Sequence, residues 1–300
     1  MGCLGLASAE TAPLPKPSRG RVERLQDFAT LHVPARNVDV WLPPGYSDKK
    51  QYAVLYMHDG QMLFDAATTW NKQEWRADEV AAGLMAEGKV RPFIIVGVHN
   101  AGPRRHTEYF PQKPFQALPE AFRTQLLAMN RNPQQVLFDG EVDSDAYLKF
   151  LVKELKPYID AQYSVDTSAS HTAVMGSSMG GLISLYAIAE YPQVFGGAAC
   201  LSTHWPGIFA VEDNPIPDAF IDYMQSNLPD PASHRLYFDY GTATLDALYP
   251  PLQAKADGVM RDKGYADGNW QTLKFEGAEH SEKAWAERLH LPMQFLFPVQ

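Results

Sequence analysis

Residues 171–192, HTAVMGSSMGGLISLYAIAEYP, constrain this chain more than any other stretch. Residues 172–175 are apolar and partly β-branched, the pattern of a short buried strand. Leu182, Leu185, Tyr186 and Ala189 then recur at the spacing of one helix face, and Pro192 stops the helix. Between strand and helix lies Gly176-Ser177-Ser178-Met179-Gly180-Gly181, where Ser178 satisfies the nucleophile-elbow pattern G-x-S-x-G. Ser177 does not, having Met175 and Met179 at the glycine positions. A strand that reverses into a helix over so few residues strains the backbone at the serine. Glycines flank it because a Cβ there would collide with the neighbouring chain. Chance alone spells this pattern in about one chain of this length in ten, so the flanking strand and helix carry the weight. The plain alternative is a glycine-rich turn that packs a helix on a sheet.

The chain has 300 residues, 45% of them hydrophobic, which is enough to bury a full core and matches one large α/β domain. A formal charge of -9 argues against nucleic acid as a partner. No apolar run approaches the roughly 20 residues of a membrane span. Cys3 and Cys200 do not make a disulfide framework, no Cys/His spacing suggests structural zinc, and neither metal nor other cofactor is expected. Residues 1–24 are expected to be a disordered lead-in or a signal-peptide remnant. Cys3-Leu4-Gly5-Leu6 followed by Ala7-Ser8-Ala9 resembles the tail of a secretory signal with a cleavage site before Glu10, although the basic segment and most of the apolar core are missing. Pro13, Pro15 and Pro17 follow. A true remnant implies a periplasmic or secreted protein, and an accidental likeness a cytoplasmic one.

Residues 25–300 alternate between strand and helix patterns. Strands are expected at 28–33 and 37–42, joined by a turn at Pro34-Ala35-Arg36, and then at 51–57, 93–98, 172–175, 197–201, 235–240 and 270–275. Helices are expected at 74–87, 143–163, 219–224, 252–263 and 282–289, besides the one after Ser178. Such alternation predicts a mostly parallel central sheet with helices on both faces. Around 100–142, Pro103, Pro111, Pro114, Pro119 and Pro133 break the pattern, and only 120–129 looks helical. A connection this long reads as a loop-rich cap insertion.

A serine hydroxyl is a weak nucleophile and needs a base, which needs an orienting acid. In elbow folds these follow in the order Ser, Asp or Glu, His, on loops at the carboxyl ends of later strands. His280 lies in the loop directly after the last expected strand, whereas His290 falls in the closing helix and reads as structural. For the acid, Asp246 is in the loop beyond strand 235–240 and is preferred, with Asp239, inside the strand, as the competitor. The plain role for Asp246 is a helix N-cap. The tetrahedral intermediate needs at least two N–H donors. The backbone of Met179, at the positive end of the elbow helix, and of Gln61, in the loop after the strand at 51–57, fit that need. His58 and Asp59, adjacent in sequence, cannot alone make a metal site.

His58-Asp59-Gly60-Gln61 with Phe64, GSSMGG at 176–181, GTATLD at 241–246 and GAEHSEKAW at 277–285, in this order, resemble the putative-esterase branch of the α/β-hydrolases. The likeness covers roughly residues 25–297 and implies an α/β-hydrolase fold and a serine carboxylic-ester hydrolase acting on a small-molecule ester. That branch includes siderophore-trilactone esterases, feruloyl esterase modules, S-formylglutathione hydrolases and mycolyltransferases. The resemblance carries Ser178 over as nucleophile, His280 as base, and Met179 and Gln61 as oxyanion donors. Many members place the acid three residues after the glycine of the G-T motif, where this chain has Thr244, and Asp246 lies two further on. Two residues are candidate substrate contacts. Arg105 could clamp a carboxylate or phenolate, or simply pair with Glu108. Trp205 could stack on an aromatic acyl group or belong to the core of a lid. An acyltransferase using the same triad, a peptidase on the same fold and a silent binding protein are the rival functions.

Overall fold

The computed structural model of the chain describes residues 12–209 and 213–299. The strands are β1 (Arg21–Phe28), β2 (Arg36–Leu42), β3 (Ala53–His58), β4 (Phe93–Val98), β5 (Asn130–Asn132), β6 (Gln135–Val136), β7 (Thr172–Ser177), β8 (Gly197–Leu201), β9 (Arg235–Gly241) and β10 (Trp270–Phe275). All but the small β5–β6 hairpin join one sheet in the order β1-β2-β4-β3-β7-β8-β9-β10. β2 is antiparallel to β1 and β4, and every pairing from β4 to β10 is parallel. β3, β4 and β7 are buried at every position, as continuous apolar strands in a parallel sheet must be. Alternate side chains feed two cores, Val54 and Tyr56 on one face and Ala53, Leu55 and Met57 on the other. Helices Met179–Glu190, Ile216–Asn227 and Pro250–Asp262 cover the first face. Helices Ala77–Ala86, Glu282–Arg288 and His290–Leu296 cover the second. None of the helices among the described residues is long and apolar enough to cross a membrane.

The sheet begins earlier than expected. Its first strand is Arg21–Phe28, not 28–33, and it pairs with β2 from Arg21 against Leu42. The lead-in is also tied down where it is described. The Lys16 N–H donates to Asp65 at 3.0 Å, the Arg19 N–H to Asp78 at 2.9 Å, and the Trp41 indole to the Arg19 carbonyl at 2.7 Å. The expected signal-peptide remnant, with its cleavage site before Glu10, lies outside the described residues.

The cap is more helical than expected, with short helices at Arg105–Tyr109 and Gln112–Ala117 besides the expected one at Glu120–Leu127, all before the β5–β6 hairpin. Pro111 and Pro119 are the N-caps of the second and third, where a missing N–H costs nothing. The expected helix at 143–163 runs Ser144–Lys149, a π-helical Phe150–Leu155, then Lys156–Gln162. The wider π turn shifts the buried face by one residue, so Tyr147, Leu151, Leu155 and Ile159 are buried and Tyr158 is exposed.

Candidate active site

Parallel strands bring their carboxyl ends to one edge of the sheet, and the loops after β3, β7, β9 and β10 meet there. Ser178 stands between β7 and the helix Met179–Glu190 with φ 58 and ψ -121, a conformation that costs a non-glycine residue about 1–3 kcal/mol. Its surroundings hold it. The Ser178 N–H donates to Leu201 at 2.9 Å, and its carbonyl accepts from Gly181, Leu182 and His204 at 3.0–3.2 Å. A Cβ on Gly176 would lie 2.6 Å from the Gly180 carbonyl oxygen, so no larger residue fits under the turn. Met179 opens the helix, and its N–H has no carbonyl a turn earlier to bond. Across the cleft, Gln61 sits in the tight turn Gly60–Met62 that follows Asp59 at φ 57.

Asp246 lies in the turn Thr244–Leu248 after β9 and is fully buried. One carboxylate oxygen meets His280 Nδ1 at 2.5 Å, and the other accepts from Ser202 Oγ and the Gly241 N–H, both at 2.6 Å. A carboxylate only accepts, so Nδ1 carries the proton and Nε2 has a free lone pair. Burial raises the Asp246 carboxyl, yet the bonds from His280, Ser202 and Gly241 outweigh it and hold the group below the usual carboxylate range. The His280 ring packs edge-on against Trp285 and Tyr249, with centroids 5.0 and 5.9 Å away.

Asp239 faces elsewhere. Its oxygens take Arg288 Nη2 at 3.0 Å and the Tyr237 hydroxyl at 3.1 Å, leaving His280 to Asp246. Ser202, Trp285 and Arg288 were not legible as site residues in the sequence. Ser202 Oγ donates to Asp246 while accepting from Trp285 Nε1 at 2.9 Å and Arg288 Nη2 at 3.0 Å, so it fixes the carboxylate from behind.

Ser178, His280, Gln61, Trp70, Trp75, Asn100 and Arg105 line one cleft of about 530 Å³. Arg105 does not pair with Glu108, which is held by Arg36 at 2.7 and 2.9 Å. It forks Asp59 instead, Nε to Oδ1 at 2.6 Å and Nη2 to Oδ2 at 2.7 Å. Trp205 does not line this cleft and is buried in the core. Its indole N–H donates to Gln253 at 2.9 Å, its ring packs on Phe238, and it is 1% exposed. His290 is an exposed residue at the start of His290–Leu296.

Two further histidines support the site from the core. His58 bonds the Tyr147 hydroxyl at 2.8 Å and His204 that of Tyr249 at 2.9 Å. Burial pushes both down to about 3. The unfolded chain takes up these protons near pH 6.5 and the folded chain does not, so stability is full above that pH and falls as pH drops toward the folded value. Each histidine contributes a slope of about 1.4 kcal/mol per pH unit over that window. Urea midpoints measured from pH 7 to 5 should fall steeply, and His58→Gln should flatten the fall. A flat wild-type profile would mean that these imidazoles protonate in the folded state.

An eight-stranded, mostly parallel sheet with a strand–serine–helix elbow defines an α/β-hydrolase. Residues 34–291 match the family model described as "Putative esterase", and the chain belongs to that family. It is a carboxylic-ester hydrolase. Among its relatives is the uncharacterized protein YbbA of Bacillus subtilis (strain 168), 23% identical over 270 residues that span 87% of this chain and 92% of that protein. Among solved structures, a ferulic acid esterase superposes with a TM-score of 0.64 at 20% identity, covering 94% of this chain and 99% of that one. An IroE-like serine hydrolase from Shewanella oneidensis gives 0.64 at 18% identity, covering 92% and 80%. These structural likenesses are likenesses of fold.

Proposed function

We propose that the enzyme cleaves carboxylic esters through an acyl-enzyme on Ser178, with His280 as general base and acid and Asp246 as the carboxylate that orients it. The observation that carries this is the 2.5 Å contact between a fully buried Asp246 and His280 Nδ1, in the loop that shares a cleft with Ser178. In the first step Ser178 Oγ attacks the ester carbonyl carbon while His280 Nε2 takes its proton. The carbonyl oxygen gains the electron pair and is met by the Met179 and Gln61 N–H groups. Collapse breaks the C–O bond to the alcohol, which leaves with the proton from His280. Water repeats the sequence, and the acid departs with Ser178 restored. Asp246 stays ionised throughout and stabilises the imidazolium.

Treatment with a fluorophosphonate followed by peptide mass spectrometry should find the adduct on Ser178. A catalytically active preparation without that adduct would sink the assignment. A panel of short-acyl, aryl, feruloyl and trilactone esters, ranked by kcat/KM, then identifies the preferred acyl group.

A further inference from the structure

The cleft holds a guanidinium that no protein group answers. Arg131, on β5 of the cap hairpin, lines the cleft with Ser178 and Arg105 and has no hydrogen bond or ion pair among the described residues. The carboxylates that line the cleft are already engaged. Asp59 is held by Arg105 and by Asn100 at 2.6 Å, and Glu282 accepts from Asn71 at 2.8 Å. Arg105 itself is only half used, because its Nη1 has no protein partner among the described residues. Arg131 is exposed on the cap side of the cleft, where partial desolvation and then the neighbouring Arg105 pull it below the usual guanidinium range. Asp59 answers Arg105, so it is Arg131 that stands at the cleft without a counter-ion among the described residues, at some cost from the field of its positive neighbour. An oxyanion bridging the two forks would offset that cost. The feature stands out in a chain whose formal charge is -9.

We propose that Arg131, with Nη1 of Arg105, forms a subsite for an anionic group carried by the ester substrate, a carboxylate or an oxyanion of similar shape. This deepens the esterase mechanism above and rests on it. The anion can sit on the acyl or on the alcohol half of the ester, and the test separates the two.

Two matched pairs serve as probes: 4-nitrophenyl butyrate against 4-nitrophenyl hemisuccinate, and phenyl acetate against 4-acetoxybenzoate. For one pair, the ratio of kcat/KM, anionic over neutral, should fall about ten-fold or more in Arg131→Gln, the worth of a hydrogen bond to a charged group. Arg131→Lys should recover part of the ratio. Arg123→Gln, which removes the same charge elsewhere on the cap, should leave it unchanged. The pair that responds names the half of the ester that carries the charge. A ratio untouched by Arg131→Gln in both pairs, or lowered equally by Arg123→Gln, would show an ordinary solvated arginine and overturn the subsite.

Binding gives a readout that does not depend on turnover. In Ser178→Ala, calorimetry with the same anionic esters should show a Kd about ten-fold weaker once Arg131→Gln is added, with the difference shrinking at high salt. Equal affinities there would overturn the subsite even if no ester were hydrolysed. Hydrolysis of the neutral esters alone decides the esterase mechanism.

Discussion

Ser178→Ala lowers kcat on an aryl ester by about six orders of magnitude, the loss seen when a triad serine is removed elsewhere. The prediction is sharp because the substitution leaves the turn alone. The elbow is held through backbone groups, the Ser178 N–H on Leu201 and its carbonyl on Gly181, Leu182 and His204. Alanine at φ 58 is strained much as serine is, so the folded state keeps its shape and its denaturation midpoint should move little. Ser177→Ala serves as the comparison, since that hydroxyl belongs to the last residue of β7 and precedes the turn. It should retain turnover within about ten-fold, because only Ser178 has the elbow conformation. Equal losses from both variants, with circular dichroism unchanged, would remove Ser178 from the nucleophile's place.

Asp246→Asn lowers kcat by about four orders of magnitude, and Asp239→Asn chiefly lowers stability. Both aspartates are fully buried, one inside β9 and the other in the turn beyond it, yet their partners differ. Asp246 holds His280 Nδ1, and an asparagine amide turned toward that nitrogen favours the wrong tautomer, with the proton on Nε2 where serine needs a base. Asp239 is the counter-charge of buried Arg288, and breaking a buried ion pair costs about 3–5 kcal/mol. The paired measurement is kcat at a temperature where both variants are folded, together with urea midpoints. An inactive but stable Asp239→Asn beside an active Asp246→Asn would place the acid on the strand.

The sequence was most informative where a pattern is local. β4, β8 and β10 fall at the expected bounds because each is a strand-forming run between turn residues. The elbow was legible for the same reason, since strand, glycines, serine and helix are contiguous. β1 was missed because it is an edge strand with Arg21, Glu23, Arg24 and Asp27 along it and no buried face to leave a pattern. Of the cap helices, the one at Glu120–Leu127 was expected, whereas Arg105–Tyr109 and Gln112–Ala117 were missed because the prolines around them read as breakers, although proline is equally at home where a helix starts.

Around the site, what stayed hidden depends on pairs distant in sequence. Nothing near Trp205 announces that Gln253, 48 residues on, will accept its indole proton and turn the ring into the core. Arg105 and Asp59 are separated by 46 residues, and Ser202 and Arg288 by 86. The acid was ambiguous by position alone because Thr244 occupies its common place in the motif. In the structure Thr244 Oγ1 accepts from the His280 N–H at 2.8 Å, so that position still touches the base loop.

The same loop contacts have an engineering consequence. Thr242 and Ala243 donate N–H bonds to Ala278 at 3.1 and 3.0 Å, and Thr242 Oγ1 accepts from the Gly277 N–H at 2.7 Å. Gly241 lies so close beneath that a Cβ would come 2.1 Å from the Ala278 carbonyl oxygen. The segments at 241–246 and 277–281 therefore behave as a single cartridge clipped across the ends of two adjacent strands. A chimera that imports one of them from a relative inherits mismatched teeth and loses the register of Asp246 on His280. Exchanged together, they transfer as a module, whereas the cap at 100–142 is anchored in the body through Arg105 on Asp59 and Glu108 on Arg36 and would have to travel with those partners.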